Sequence, residues 1–263
     1  MRPVPVNRRA FLKGLTAAAL CPLCASGTAW GETAPAHPGG EVHWRYDGME
    51  GPQQWGKLKP DFKACEVGVE QSPLDLKEGI RAELGGLYVE YREASAGIIN
   101  NGHTIQVNVP AGSRLIVGRK SYGLVQAHFH HPSEHKLNGK SFPLECHFVH
   151  KSEAGEFAVL GVFIEEGHEN ATLKQVFANL PKPGPEQPLP APLRFDALLP
   201  DDRAFYRYSG SLTTPPCTEG ILWTVFRRPV RASKAQIQAF AALFPLNARP
   251  IQPQNRRFLL ETL

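Results

Sequence analysis

The sequence predicts a β-dominated single domain with peripheral helices. Strand-like segments recur along the chain, several of them with alternating apolar residues or β-branched side chains. The 24 glycines and 24 prolines among 263 residues indicate many turns and disfavour a helical protein. Hydrophobic residues make up 42% and charged residues 21% of the chain, which excludes disordered, collagenous and multi-span membrane proteins.

The N-terminal segment predicts an export signal. Arg8 and Arg9 precede a short apolar run and then small residues up to Ala29, which is the order of a signal peptide. The run is shorter than the roughly 20 apolar residues that a membrane-spanning helix needs. The arginine pair favours the twin-arginine type, and the alternatives are an ordinary secretory signal and a basic surface helix. We therefore predict a signal peptide over 1–29, a flexible mature N-terminus over 30–40 and a periplasmic protein.

This signal also explains the basic charge of the chain. Arg2, Arg8, Arg9 and Lys13 precede the first acidic residue, Glu32, and these four account for the whole excess of 29 basic over 25 acidic residues. The mature protein is therefore near neutral, and its charge gives no reason to expect nucleic acid as a partner.

Residues 41–263 predict one domain, because neither a linker nor an internal repeat interrupts them. The proline-rich stretch 181–192 forbids both a helix and a central strand and predicts a surface crossing. Helices are predicted over 173–179 and over Lys234–Leu243, the second capped by Ser233. The predicted strands are 87–91, 104–109, 113–117, 122–130, 144–150, 156–165 and 220–226.

Two predicted strands carry histidines at a spacing that favours a metal site. His128 and His130 share one face of a strand because side chains alternate, and His147 lies on the next strand. Three imidazoles leave Zn²⁺ an open fourth position, which is the catalytic arrangement. Gln126 and Glu145 each lie two residues before a histidine, where they can orient a metal-bound imidazole. The alternatives are unrelated core histidines and a solvated strand face.

Several motifs, in this order along the chain, resemble the α-class carbonic anhydrases, in particular their exported bacterial branch. The resemblance runs from about residue 43 to 256 and implies a mainly β (α+β) domain built on a large, mostly antiparallel twisted sheet with short peripheral helices. The motifs are Gln71-Ser72-Pro73, Asn100-Asn101-Gly102-His103, Gln126-Ala127-His128-Phe129-His130, Pro132-Ser133-Glu134-His135, Leu144-Glu145-Cys146-His147-Phe148-Val149-His150 and Gly210-Ser211-Leu212-Thr213-Thr214-Pro215-Pro216-Cys217.

The resemblance implies zinc-dependent, reversible hydration of CO2 to bicarbonate and a proton. It makes His128, His130 and His147 the Zn²⁺ ligands, with hydroxide on the metal as the nucleophile. It also makes Thr213 the residue whose hydroxyl donates to Glu134 and fixes the attacking lone pair. The plainer interpretation makes Glu134 an exposed loop carboxylate and Thr213 an ordinary turn residue.

The resemblance makes His103 the proton shuttle, a role that suits imidazole because its ordinary pKa is near 6.5. Without it, His103 would be an exposed histidine after a turn. Tyr46, Asn101 and Gln106 match positions that order the water chain, although the family often has Asn where this chain has Gln106.

The resemblance further implies an apolar wall that holds CO2, a substrate with little capacity for hydrogen bonding. Thr214 lines the polar side, and Asn247 offers its backbone carbonyl to the second zinc ligand, His130. His131 departs from the family, whose vertebrate members carry Trp there. The wall consists of residues that would equally suit a strand core: Val149, Val159, Leu212, Ile221 and Trp223.

The cysteines divide between the signal and the domain. Cys21 and Cys24 fall within the predicted signal peptide. The resemblance implies a disulfide between Cys65 and Cys217, which a periplasmic location permits. Cys146 is then left over as a buried free thiol, turned away from the metal by strand alternation.

Two other functions compete with this interpretation. One is a non-catalytic binding module on the same fold, as in relatives that have lost zinc ligands. The other is a different zinc hydrolase such as a peptidase, which the lack of an H-E-x-x-H helix disfavours. The partners implied are small molecules, CO2 and bicarbonate, with no nucleic acid and no stable membrane anchor; exported relatives commonly form homodimers.

Overall fold

A large mixed β-sheet forms the centre of the structure, a computed structural model that describes residues 42–178 and 180–263. Within these residues the sheet has 13 strands, and a separate two-stranded sheet accompanies it. The single mainly β domain predicted from the sequence is confirmed. The predicted signal peptide and flexible N-terminus over 1–40 lie outside the described residues.

The strands that the structure describes are short at the edges of the sheet and long at its centre. They are β1 Asp75–Leu76, β2 Ile80–Ala82, β3 Leu87–Glu90, β4 Gly97–Asn100, β5 Ile105–Asn108, β6 Arg114–Val117, β7 Lys120–His130, β8 Lys136–Leu137, β9 Leu144–Lys151, β10 Phe157–Glu166, β11 Gln187–Pro188, β12 Phe205–Ser211, β13 Glu219–Phe226, β14 Val230–Ala232 and β15 Leu260–Thr262.

The main path of the sheet runs β11-β4-β5-β7-β9-β10-β13-β12-β15-β2. Neighbouring strands are mostly antiparallel, and β10 with β13 and β15 with β2 are parallel. The proline-rich stretch contributes only β11, which pairs with β4 at one end of the sheet. An edge position is where a strand tolerates proline.

An extra residue in β7 changes which face its side chains occupy. Leu124 pairs with His150 and Gln126 pairs with Val149, so Val125 has no partner on β9 and forms a β-bulge. Tyr122 and Leu124 therefore pack in the core on one face, called the back face below. Beyond the bulge, the even-numbered residues lie on the other face, called the metal face below.

The structure describes four helices, which are α1 Trp55–Leu58, α2 Ala64–Val67, α3 Ala171–Phe177 and α4 Lys234–Leu243, with 3-10 turns at Gly48–Glu50, Pro60–Phe62 and Asp196–Leu198. Of these four helices, α3 and α4 pack against the back face, whereas Trp55 of α1 and Cys65 of α2 pack in a separate cluster with Cys217. The Phe129 ring of β7 contacts the rings of Phe177 on α3 and Phe240 on α4, with centroids 5.2 and 6.0 Å apart. These apolar contacts hold β7 in place from behind, so its other face is free to carry polar groups.

Both predicted helices exist, and their ends follow from capping. Ser233 caps α4 as predicted, since its hydroxyl accepts from Gln236 N and the Gln236 side chain accepts from Ser233 N. Helix α3 begins two residues before the predicted 173 because the Asn170 side chain accepts from Thr172 N and Leu173 N. In the described part of the chain, no helix is both long and apolar enough to cross a membrane.

Candidate metal centre

The register of β7 and β9 brings three imidazoles together. His128 lies directly opposite His147, and His130 lies opposite Glu145. Directly paired residues share a face, so all four side chains lie on the metal face. One ring nitrogen from each of His128, His130 and His147 lies within 4.8 Å of the others. Strand alternation thus delivers the cluster that the sequence predicted.

Each imidazole is oriented by a hydrogen bond from the nitrogen that faces away from the cluster. His128 Nδ1 donates to Gln126 Oε1 over 2.8 Å, and His130 Nδ1 donates to the backbone oxygen of Asn247 over 2.7 Å. Because these oxygens only accept, each ring must be protonated at Nδ1, which leaves Nε2 with a free lone pair. Gln126 and Asn247 thus each lie beside one of the predicted ligands.

His147 uses the opposite nitrogen. Its Nε2 donates to Glu145 Oε1 over 2.9 Å, so Nδ1 carries the free lone pair. The same carboxylate accepts from His135 Nδ1 over 2.7 Å and from His135 N over 2.9 Å. Burial raises the pKa of Glu145, but the charges and hydrogen bonds of His135 and His147 outweigh it and hold that pKa well below its usual range.

The cluster fits a metal ion that prefers imidazole. In the part of the chain that the structure describes, His130 Nε2 is buried without a hydrogen-bond partner, a costly state that a bound cation relieves. Burial, together with the other imidazoles, lowers the pKa of His128 well below 6.5 and also lowers that of His130. The rings are therefore neutral and able to ligate. Three imidazole nitrogens with room for a fourth ligand match Zn²⁺.

A second group, His135, Glu145 and His147, also lies close enough together for a metal. Its atoms are already used, since His135 Nε2 contacts the hydroxyl of Tyr208 over 2.7 Å and its Nδ1 donates to Glu145. We interpret this group as a hydrogen-bond network that supports His147.

Glu134 lies buried beside the cluster. Its Oε1 accepts from Arg249 N over 2.8 Å, and its Oε2 lies 3.6 Å from His130 Nε2 and 3.8 Å from His147 Nδ1. Thr213 is also buried, yet no hydrogen bond joins it to Glu134 among the described residues. Oε2 has no hydrogen-bond partner within 42–178 and 180–263, so this oxygen is free to accept one.

A disulfide holds the loop that carries Thr213. Cys65 and Cys217 are bonded, which is the pairing that the resemblance implied, and Cys146 is free and buried on the back face. Gln71 Nε2 donates to the backbone oxygen of Cys217 over 3.1 Å. The loop after β12 is therefore fastened to the N-terminal part of the domain by a covalent bond and a hydrogen bond.

His103 lies on the turn between β4 and β5, half-buried. Its ring stacks on that of Trp44, with centroids 3.6 Å apart and planes at 5°. Partial burial, and to a lesser extent the nearby His43, lower the pKa of His103 below 6.5. A histidine with such a pKa exchanges protons around and below neutrality.

The three predicted water-ordering residues lie in different surroundings. Asn101 Oδ1 accepts from the backbone nitrogens of His103 and Thr104, each over 3.0 Å, and so shapes the turn. Gln106 lies opposite His128 in the β5–β7 register, but its Nε2 donates to Asn108 over 2.7 Å. Burial and the negative charge of Glu134 raise the pKa of Tyr46 well above 10, so it stays protonated.

The predicted apolar wall forms part of one cluster on the metal face. Trp223 lies with its ring centroid 4.8 Å from that of His147, and its Nε1 donates to Ser211 O over 2.9 Å. Thr214, predicted for the polar side, is partly exposed on the loop after β12. The other members of the wall are Val149, Val159, Ile221 and, at the margin, Leu212.

Comparison with known proteins gives the family. Residues 50–262 match the family model described as eukaryotic-type carbonic anhydrase. The chain belongs to the α-carbonic anhydrase family. A carbonic anhydrase from Pectobacterium atrosepticum is 43% identical over 221 residues, which are 83% of this chain and 91% of that protein. Dioscorin dioA3 from Dioscorea japonica is 39% identical over 222 residues, which are 79% of this chain and 80% of that protein.

Solved structures of carbonic anhydrases agree. The α-carbonic anhydrase of Thermovibrio ammonificans, solved with the inhibitor sulfanilamide, has a TM-score of 0.82 and 43% identity, covering 84% of this chain and all of that one. The fold class and the enzyme class, carbonic anhydrase, are thereby confirmed.

Sequence reasoning gave no role to three buried residues of this carbonic anhydrase. Arg249 donates through its guanidinium to Gln71 Oε1, Ser72 O and Cys65 O, and its backbone holds Glu134. His135 and Tyr208 extend the support behind Glu145. His135 stands in a quoted motif and could have been found by asking what fixes Glu145, whereas Arg249 lies in an irregular segment without a periodic signal.

Proposed function

We propose that this carbonic anhydrase catalyses the zinc-dependent, reversible hydration of CO2 to bicarbonate and a proton. One observation carries the proposal: three imidazoles are each fixed through one nitrogen, while their remaining nitrogens converge within 4.8 Å. Histidines that only pack in a core have no reason to point their free nitrogens at one common position. When bound there, Zn²⁺ supplies the Lewis acidity that ionises water near neutral pH, chemistry for which carbonic anhydrases are the reference example.

Glu134 and Thr213 orient the attacking oxygen in this proposal. The Thr213 hydroxyl donates to the unpartnered Oε2 of Glu134, so that its own lone pair accepts from the nucleophile. Arg249 N already occupies Oε1 over 2.8 Å, which leaves Oε2 as the acceptor. When the Thr213 hydroxyl is held in this way, it accepts from the nucleophile in one defined direction, and this orients the nucleophile toward the substrate.

His103 carries the released proton to solvent. It lies on a turn and is half-buried, with its ring stacked on Trp44, so part of it stays in contact with water. Tyr46, Asn101 and Gln106 order the water between His103 and the metal site. Because the Tyr46 hydroxyl stays protonated, it can serve as a hydrogen-bond donor without taking up the proton.

The apolar wall binds CO2 beside the metal site. Val149, Val159, Leu212, Ile221 and Trp223 give a linear nonpolar molecule contact without competing hydrogen bonds, and Thr214 supplies the polar side. Trp223 is fixed by its bond to Ser211 O, so the wall keeps its shape between turnovers.

The test combines zinc content with stopped-flow CO2 hydration on the purified protein. We expect about one zinc per chain and hydration that is lost on chelation and in His128→Ala, because His128 supplies one of three ligands. His168→Ala is the matched control, since His168 is exposed and remote in sequence from the cluster; it should keep both zinc and activity. A fully zinc-loaded protein without hydration would instead support the non-catalytic binding module.

We further propose export to the periplasm through the predicted 1–29 signal. The bacterial relative and the disulfide between Cys65 and Cys217 support it, because disulfides persist in oxidising compartments. Fractionation followed by N-terminal sequencing tests it, with cleavage near Ala29 expected and an intact cytosolic chain contradicting it. A homodimer stays a prediction.

A further inference from the structure

The side chain of Asn247 is buried between the metal site and the turn that carries His103. It is 1% exposed, and its polar atoms are all bonded. Nδ2 donates to His103 O over 3.0 Å and to Phe129 O over 2.9 Å, while Oδ1 accepts from His131 N over 2.6 Å. One amide thus links the turn to the end of β7.

The backbone of Asn247 makes a separate set of bonds. Its oxygen accepts from His130 Nδ1 over 2.7 Å, and its nitrogen donates to His131 O over 2.9 Å. The contact to the metal ligand therefore belongs to the backbone, and the contact to the His103 turn belongs to the side chain. A substitution that shortens the side chain removes the second set without removing the atoms of the first.

Among the described residues, other contacts hold the neighbours of His103 to β7 but do not bond His103 itself. The Asn101 side chain shapes the turn internally, but does not reach β7. Thr104 Oγ1, one residue after His103, donates to Phe129 O over 2.5 Å and accepts from Phe129 N over 3.2 Å, so it holds the start of β5 to β7. The His103 ring itself contacts Trp44 by stacking, which fixes its plane but not its distance from β7. Asn247 is the residue that bonds His103 itself to the strand of the metal ligands.

We propose that the side-chain amide of Asn247 is a positioning residue for proton transfer: by holding the backbone of His103 against β7, it sets the distance between the shuttle imidazole and the metal site. This inference rests on the proposed function. Proton transfer through water depends steeply on geometry, because every added or misplaced water breaks a chain of short hydrogen bonds. The role concerns proton release and leaves CO2 attack unchanged.

The first test compares Asn247→Ala with the native enzyme in dilute and in imidazole-rich buffer. We expect kcat in dilute buffer to fall about tenfold, a part of the roughly 10²–10⁴-fold that positioned acid–base groups supply. The ratio kcat/KM and the zinc content should stay near native, and imidazole should restore most of kcat. Asn255→Ala is the matched control, because Asn255 Nδ2 also donates to a backbone oxygen, that of Val69 over 2.7 Å, at an exposed loop.

Asn247→Asp is a second variant, which keeps the inference testable if Asn247→Ala does not fold. It keeps the size of the side chain and the acceptor for His131 N, and its carboxylate offers no donor to His103 O. We expect the same loss of kcat and the same imidazole rescue. Native kcat in dilute buffer for either folded variant overturns the inference, as does an equal fall in kcat and kcat/KM. If the zinc-loaded native protein shows no hydration, the proposed function itself fails.

A readout on zinc-free protein checks the position of His103 directly. Stacking on Trp44 at 3.6 Å shifts the proton resonances of the His103 ring upfield in the NMR spectrum through the ring current. In Asn247→Ala we expect these resonances to move toward their unstacked values or to broaden. Unchanged His103 resonances in this variant would show that the turn keeps its place without the amide.

Discussion

His147 and His150 are both buried on β9, three residues apart, and they lie on opposite faces of the sheet. On the metal face, His147 donates from Nε2 to Glu145 and keeps Nδ1 unused. On the back face, His150 Nδ1 donates to Ala158 O over 3.3 Å, and Nε2 accepts from the Tyr91 hydroxyl over 2.9 Å. Burial does not distinguish the two histidines, but the number of free nitrogens does.

The surroundings explain the difference. On the metal face, His147 lies among polar groups, and each imidazole is fixed through one nitrogen by a hydrogen bond to another polar group. The remaining imidazole nitrogens therefore lie close together with their lone pairs unused. On the back face, His150 pairs with Leu124 and Ala158 and contacts the ring of Tyr91, and the thiol of Cys146 is buried farther along the same face of the strand. Burial raises the pKa of the Cys146 thiol, with the charge of Glu145 adding to it, so this cysteine stays protonated. One face is thus arranged for ligation and the other for packing.

The largest effect on zinc binding and activity should come from replacing His147, whereas the matching replacement of His150 should have little effect. His147→Ala removes one of three ligands, and we expect loss of zinc and a fall in kcat/KM of roughly 10³-fold or more. His150→Phe should keep zinc and kcat/KM near native. Zinc analysis and stopped-flow hydration on both variants check this. A His147→Ala protein that retains zinc, or a His150→Phe protein that loses it, would break the comparison between the faces.

A smaller effect concerns stability in acid. Burial lowers the pKa of His150 to about 4, from 6.5. Between these values the unfolded chain takes up a proton that the folded chain refuses, so the free energy of unfolding falls as the pH drops from about 6.5 to 4, by about 3 kcal/mol in total. Above pH 6.5 this contribution is fully present.

Denaturant unfolding of zinc-free protein across this pH range measures the effect. His150→Phe is expected to be less stable at neutral pH, because Tyr91 loses its acceptor, but its stability should fall less steeply in acid. Parallel pH profiles for the native protein and the variant would count against a neutral His150 on the back face.

The smallest effect should come from the residues that orient the ligands. Gln126→Leu removes the acceptor of His128 Nδ1 and leaves the ligand itself, so we expect zinc affinity to fall about 10–100-fold. Competition with a chromophoric chelator measures it. Gln254→Leu, at an exposed loop, is the control and should leave affinity native. Equal affinities in both variants would mean that the strands alone orient His128.

The sequence sufficed for those parts of the site that depend on local periodicity. Alternation along β7 and β9 placed His128, His130, His147, Gln126 and Glu145 on one face, because the face of a strand residue is decided by its immediate neighbours. The contacts of these rings with each other then follow from the strand register. Both long helices were predicted for the same reason, since their apolar spacing is local.

Contacts between irregular segments that are distant in sequence could not be predicted from periodic patterns. Arg249 meets Glu134, Gln71 and Cys65 only because two other loops and helix α2 converge on its own loop, and no spacing in the sequence marks that meeting. Strand β12 was missed because residues on both of its faces are buried, including Arg207, so it lacks the alternation of a half-exposed strand.

At the bulge at Val125, a change of residue type and a change of chain length are expected to have different consequences. Its side chain is 44% exposed, so other residue types fit there at little cost to the core. The number of residues between Leu124 and Gln126 cannot change in the same way. Removing one residue would move every later side chain of β7 to the opposite face, so that Phe129 would lie on the face where His128 and His130 now lie. At this position natural variation is expected in residue identity and not in length: substitutions, but neither insertions nor deletions.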